Sequence, residues 1–169
     1  MTDATVDPAE LCSAVGCSID AARVDSTRCP VSGSVASRVG LVTVKALIIP
    51  EALRRLDGRK YHFCSDPGCD VVYFDNRAGS VFRKQDLRVR VGLKESSDPV
   101  PMCYCFDVTV ADLRNEIAAR GATEIPAVIS AEVRAGHCAC EVRNPQGTCC
   151  LGNVSKAVSL IVGRRNLTP

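Results

Sequence analysis

Cys103-Tyr104-Cys105, Cys138-Ala139-Cys140 and Asn144-Pro145-Gln146-Gly147-Thr148-Cys149-Cys150 carry six of the eleven cysteines of a 169-residue chain, all of them beyond residue 100. A close pair, a gap of helical length and a second close group is an arrangement suited to a metal cluster. Cys103 and Cys105 stand just before a helix signal, in which Thr109 caps, Asp112 follows three residues later, and Val110, Leu113 and Ile117 share an apolar face up to Gly121. Cys149 and Cys150 open another helical pattern, with Leu151, Val154, Val158 and Ile161 spaced by three, four and three and a stop at Gly163. Both groups therefore lie near helix N-termini, where free N–H groups and the positive dipole end favour an anion. Between them a helix is predicted from Thr123, with Pro126 in its first turn, Ile125, Val128, Ile129 and Val133 along it, and Gly136 as its end. A [2Fe-2S] cluster needs four thiolates, two per iron. A four-cysteine zinc site would use the same sulfurs, and residue types alone leave iron and zinc open.

Upstream the period shortens to two. From Cys29 to Leu93 the pattern is β-rich with one helix. Val39 to Val44 is dense in β-branched residues and reads as a strand, Pro50 to Leu56 as a short helix closed by Asp57-Gly58, and Lys60 to Phe63 as a strand. Cys64-Ser65-Asp66-Pro67-Gly68-Cys69 is a tight turn between two cysteines. Val71 to Phe74 and Ser80 to Phe82 form a hairpin about Asp75 to Gly79, with Gly79 supplying the positive φ. Residues Val91 to Met102 read as a polar, proline-broken linker, with the domain boundary inside it. Before Cys29 lies a polar arm whose Asp7-Pro8-Ala9-Glu10 signals a short helix, carrying Cys12, with Cys17 just past Gly16. The expected class is α+β: a small β-rich domain followed by a small helical one. The divisions are an arm over 1–28, the β-rich domain over 29–93, a linker over 94–102 and the helical domain over 103–169.

Composition excludes several classes. Apolar residues make up 46% of the chain, enough for a core, but aromatics are 4% and Trp is absent, so large rings contribute little to it. An extracellular disulfide scaffold is disfavoured by the odd cysteine count, by Cys-x-Cys and Cys-Cys groups too close for ordinary bridges, and by a polar, acidic Met1 to Glu10 without a secretory pattern. Reduced, cytoplasmic, metal-binding thiols fit instead. The apolar runs, such as Ala46 to Ile49, are too short for membrane insertion. A net charge of +2 without a basic block gives no support for nucleic-acid binding. Only two histidines occur, His62 and His137, neither in a nucleophile or oxidoreductase motif, so no enzyme is expected.

Cys103-Tyr104-Cys105-Phe106, a later cysteine, and Asn144-Pro145-Gln146-Gly147-Thr148-Cys149-Cys150-Leu151-Gly152 resemble the iron-sulfur half of the N-terminal domain of CopZ-type copper chaperones. That half is similar to bacterioferritin-associated ferredoxin domains. Tyr61-His62-Phe63-Cys64, Cys69 to Phe74, Val81-Phe82-Arg83-Lys84 and Arg90 to Glu95 resemble the zinc-binding half, so the resemblance covers about Cys29 to Gly163. It implies a β-rich zinc-binding domain followed by a helical [2Fe-2S]-binding domain. The implied cluster ligands are Cys103, Cys105, Cys140 and Cys150, with Cys149 as the alternate to Cys150. Cys140 is preferred to Cys138 because it stands four residues before Asn144. Cys138 and Cys149 are then extra thiols.

The zinc half of the family uses a Cys-Pro-x-Cys knuckle, and here that knuckle reads Cys29-Pro30-Val31-Ser32. A serine hydroxyl is a poor zinc ligand. Cys29, Cys64 and Cys69 supply three thiolates. The fourth ligand is expected from Cys12 or Cys17, with His62 and Asp66 as alternates. The resemblance implies a cytoplasmic metal-handling protein, and a cluster without acid–base machinery beside it leads to the expectation of a one-electron carrier in the handling of metal, most simply copper. Its partner would be a metal chaperone, a metal efflux pump or a redox protein. Members that pass copper directly carry a Gly-Met-x-Cys-x-x-Cys module, which is not found up to Pro169. The alternatives are a thiol-based protein that binds Cu(I) or another soft metal, and a structural zinc protein.

Overall fold

The computed structural model describes residues 25–165. The elements run β1 (Ser37–Arg38), α1 (Leu41–Leu47), α2 (Pro50–Leu53), β2 (His62–Phe63), β3 (Val71–Asp75), β4 (Ser80–Arg83), β5 (Pro101–Cys103), β6 (Val108–Thr109), α3 (Val110–Arg120), α4 (Ile125–Arg134), α5 (Cys140–Arg143) and α6 (Leu151–Arg165). The class is α+β: a sheet region followed by helices. The predicted arm helix at Pro8, with Cys12 and Cys17, lies outside the described residues.

The sheet is antiparallel, in the order β1-β2-β3-β4. All five residues of β3 are buried. The reason is that both faces of the sheet are covered. Val72 and Tyr73 belong to a core with Val44, Ile48, Tyr61, Phe63 and Phe82. Val71 and Phe74 pack against Cys29, Cys64 and Cys69. A strand covered on both sides reads as a continuous apolar run, which is how Val71 to Phe74 reads. The β3–β4 hairpin turns through Gly79 at φ +69°, and Asp75 ties the hairpin down. Its carboxylate accepts from the N–H groups of Arg59, Lys60 and Arg77 at 3.0–3.1 Å.

One sequence expectation fails here: Val39 to Val44 is not a strand. Only Ser37–Arg38 pairs with β2, and the β-branched run continues as α1. Intrinsic strand preference is weak and yields to packing. The helix buries Thr43, Val44 and Leu47 on one side, while the Val39 N–H donates to the Tyr61 carbonyl at 2.9 Å. The following helix is shorter than predicted, closing at Leu53.

The helical region packs α3, α4 and α6 around Leu113, Ile129 and Val154, each fully or almost fully buried. Burying an aliphatic side chain of this size contributes roughly 1.5–3 kcal/mol. Thr109 caps α3 as the sequence predicts: its hydroxyl accepts from the Asp112 N–H, the Asp112 carboxylate accepts from the Thr109 N–H, and Gly121 ends the helix at φ +80°. Helix α4 ends before Gly136, as expected, but Val128 is 56% exposed rather than part of the apolar face. Helix α6 does not stop at Gly163; it runs on to Arg165.

The stretch read as a linker is built into the structure. Val91, Lys94 and Val100 are buried, Gly92–Lys94 is a 3₁₀ turn, and Pro101–Cys103 pairs with Val108–Thr109 as a short hairpin. Gly92 is required by close approach: a Cβ there would sit 1.8 Å from the Pro101 carbonyl oxygen. The Gly92 N–H also donates to the Tyr104 hydroxyl, which donates in turn to the Arg90 carbonyl. Further contact comes from Tyr73, in the sheet, whose hydroxyl donates to the Pro145 carbonyl at 2.9 Å. Beside it Gly147, at φ +66°, lies so near Thr43 of α1 that a Cβ would meet its Oγ1 at 2.8 Å. Among the described residues, no helix is long and apolar enough to cross a membrane.

Candidate metal centres

All nine cysteines of the described residues are free thiols, and they divide between two places. The first lies on the outer face of the sheet. Cys29 comes from the loop before β1, Cys64 follows β2, and Cys69 precedes β3. The Cys29 loop is closed by a Gly33 N–H donating to the Cys29 carbonyl and a Cys29 N–H donating to the Ser34 carbonyl, both at 2.9 Å. In the turn from Cys64 to Cys69, the Asp66 carboxylate accepts from the Gly68 N–H at 2.9 Å. These turns bring the three sulfurs within 4.8 Å of one another, at 2%, 0% and 6% exposure. Cys29 and Cys69 sulfurs stand 3.8 Å apart. Two thiolates on one tetrahedral zinc, each at about 2.3 Å, are separated by about 3.8 Å, so this donor set fits a zinc ion.

Cys64 faces hydroxyls. Ser32 Oγ lies 3.6 Å and Ser34 Oγ 3.7 Å from its sulfur, and the two hydroxyls bond each other at 2.8 Å. Burial pushes the Cys64 thiol up, but donation from Ser32, the Asp66 N–H and Ser34 outweighs it and holds the thiol down to about 7. Burial raises Cys69. Neither alternate fourth ligand joins the group. The Asp66 carboxylate is occupied in its own turn, and His62 stacks on Phe74 with its buried Nδ1 unpartnered. Sequence reasoning missed Lys94. It is buried, and its ammonium donates to the carbonyls of Asp66 and Cys69 at 2.7 and 3.0 Å, bringing positive charge to the turn that carries two of the sulfurs. A lysine inside a polar stretch gives no sign of burial. Ser34, the second hydroxyl at Cys64, was missed as well.

The second place is inside the helical core. Here the sulfurs form two pairs: Cys103 with Cys150 at 2.9 Å, and Cys105 with Cys140 at 3.7 Å. Cys103 ends β5, Cys105 lies in the turn to β6, Cys140 opens α5, and Cys150 immediately precedes α6. The pairs are interlinked through the backbone. The Cys150 N–H donates to the Cys140 sulfur, those of Cys105 and Phe106 to Cys103, and that of Ala139 to Cys105 at 3.3 Å. Donation from the Cys150 thiol, with those N–H groups, holds Cys103 down to about 6 against the opposing effect of burial. The same hydrogen bond, together with burial, pushes Cys150 up. Burial, with Cys105 alongside, pushes Cys140 up to about 12.

Four sulfurs in two pairs, with N–H donors aimed at three of them, supply the donor set of a two-iron, four-thiolate group; the 3.7 Å pair stands at the separation of two thiolates on one metal, whereas the 2.9 Å pair, drawn together by its own hydrogen bond, would have to open on binding. Cys138 and Cys149 stand outside the pairs, and Cys149 is exposed. The turn between Cys140 and Cys150 is held by Asn144, a buried residue whose amide donates to the Thr148 carbonyl at 2.6 Å and accepts from the Gln146 N–H at 3.1 Å.

Residues 26–88 match a protein-family model described as a zinc binding domain of CopZ proteins. The copper chaperone CopZ of Archaeoglobus fulgidus is 37% identical over 123 residues, which are 73% of this chain and 57% of that protein. The chain thus spans little more than half the length of that curated relative. The X-ray structure of the Archaeoglobus fulgidus CopZ N-terminal domain superimposes with a TM-score of 0.65 at 34% identity, covering 76% of this chain and 95% of that domain. The agreement takes in both the sheet and the helices, and this chain belongs to the CopZ N-terminal domain family.

Proposed function

We propose that this protein is a two-centre, one-electron carrier in metal handling rather than an enzyme. Cys29, Cys64 and Cys69 would hold zinc, and Cys103, Cys105, Cys140 and Cys150 a [2Fe-2S] cluster. The observation that carries the reading is the grouping of the second set into two sulfur pairs with 2.9 and 3.7 Å separations. A [2Fe-2S] cluster, when bound, supplies a one-electron couple. The chain's own contribution is placement and shielding. Cys103, Cys140 and Cys150 are buried, while Cys105 is half-exposed and gives the site its face toward a partner. Backbone N–H donors to three of the sulfurs stabilise their negative charge. The zinc site lies beyond β3, where it ties the Cys29 loop to the turn after β2.

The likeness to a protein named copper chaperone supports copper as the handled metal. A separate metal chaperone, an efflux pump or a redox protein in the cytoplasm is the corresponding partner. Anaerobic purification with iron, sulfide and zinc analysis tests the metal content. Two irons, two sulfides and one zinc per chain with a red-brown colour are expected, and a colourless zinc-only protein overturns the cluster. Voltammetry tests the role, and absence of a reversible one-electron couple in the iron-loaded protein removes it.

A second reading is favoured by one observation, the exposure of Cys149 and the partial exposure of Cys138, both outside the pairs. Such thiols suit a soft ion such as Cu(I). That reading predicts a loss of Cu(I) affinity in Cys138→Ser/Cys149→Ser with iron content unchanged.

A further inference from the structure

We propose that the site of Cys29, Cys64 and Cys69 keeps its fourth coordination position open on the side of Ser32 and Ser34, where it takes a monodentate donor from outside the chain. The donor is water at rest and a thiolate when one is supplied. This inference rests on the zinc reading above and concerns what completes the site.

The three sulfurs meet hydroxyl groups on one side, at Ser32 and Ser34. They are buried at 2%, 0% and 6% exposure, whereas Ser32 is exposed and Ser34 half-buried. The side of the cluster nearest solvent is therefore the hydroxyl side. Ser32 cannot swing far, because the loop is fixed by the Cys29 and Gly33 backbone bonds and by Arg28, whose guanidinium donates to the Gly33 carbonyl at 3.0 Å. The two hydroxyls also hold each other at 2.8 Å, and Ser34 N–H donates to Ser32 Oγ at 3.4 Å. A neutral hydroxyl is a much weaker zinc donor than a thiolate. What the serines can do is hydrogen-bond to a ligand seated between them and the ion.

Closed, structural zinc sites use four protein ligands, while three protein ligands leave the fourth to water or an incoming molecule. Charge agrees with the open form. Three thiolates on a divalent ion leave one negative charge, and the buried Lys94 ammonium, bonded to the Asp66 and Cys69 carbonyls, stands at the same turn. Binding of an external thiol releases the water and delivers the thiol proton to solvent, so zinc can be handed on by ligand exchange.

Zinc-edge X-ray absorption on the full-length, iron-loaded protein tests this without interference from iron. Three sulfurs and one oxygen are expected as purified, and four sulfurs after excess glutathione. Ser32→Cys is expected to show four sulfurs without added thiol. It should also slow zinc loss to a chromogenic chelator by at least about tenfold, the scale on which even outer-shell changes move metal affinity. Ser32→Ala is expected to keep three sulfurs and one oxygen; loss of that oxygen would make Ser32 itself the ligand and overturn the proposal. Four sulfurs in the purified wild type, falling to three in Cys12→Ser/Cys17→Ser, would overturn it in favour of the arm. Zinc content near zero with iron retained would instead remove the zinc reading beneath it.

Discussion

The two cysteine sites use the same side chain to build different geometries. On the sheet, three sulfurs from a loop and a tight turn converge on one point. In the helical region, four sulfurs from a strand end, a turn and two helix starts separate into pairs. The difference follows from the scaffolds. The six-residue turn from Cys64 to Cys69 folds both thiols inward, and the Cys29 loop closes over them. Cys103 and Cys105, one residue apart at a hairpin, point to different partners, and the helix starts at Cys140 and Cys150 each supply one. Cysteine spacing therefore specifies how many thiols meet, and the backbone between them specifies around how many centres.

The largest test of this contrast removes a paired sulfur and, separately, its unpaired neighbour. Cys150→Ser is expected to reduce bound iron to near background while zinc is unchanged, and Cys149→Ser to keep its iron; elemental analysis of both variants checks this. Iron loss in Cys149→Ser and not in Cys150→Ser would break the two-pair arrangement. A smaller effect is expected from Lys94→Met. It leaves two carbonyls of the Cys64 to Cys69 turn without their charged donor, at a cost of about 2 kcal/mol, read by denaturant unfolding together with faster zinc loss and unchanged iron. The smallest comes from the cap of α3 on the other side of the contrast. Thr109→Ala is expected to cost about 1 kcal/mol and to leave zinc retention unaltered.

Much of this was legible in the sequence because the signals were local. The Thr109 and Asp112 capping box, Gly121, the β3–β4 hairpin with Gly79 and the turn between Cys64 and Cys69 all depend on residues a few positions apart, and all are present. The errors arise where distant packing decides. Val39 to Val44 carries strand-forming residues, yet the sheet already has its edge at β1 and the core needs Val44 and Leu47 on a helix face. The polar run from Val91 to Met102 gives no hint that Lys94 is buried or that Gly92 must clear the Pro101 carbonyl. At the sites, the family resemblance, and not spacing alone, pointed to Cys103, Cys105, Cys140 and Cys150, and these are the four residues whose sulfurs pair. His62 and Asp66 share a local stretch with Cys64, but strand stacking and a turn hydrogen bond engage them elsewhere.

The hydroxyl of Tyr73, bonded to the Pro145 carbonyl, reaches from the middle of the sheet to the turn between the third and fourth paired cysteines. Gly147, pressed against Thr43 of α1, makes the same turn dependent on the sheet region's first helix. Residues 103–165 are thus not a cassette that can be cut out and transplanted. A fragment starting there would keep all four paired sulfurs, yet lose the surface against which the turn carrying two of them is shaped. Recombination between relatives would have to move the sheet and the helices together.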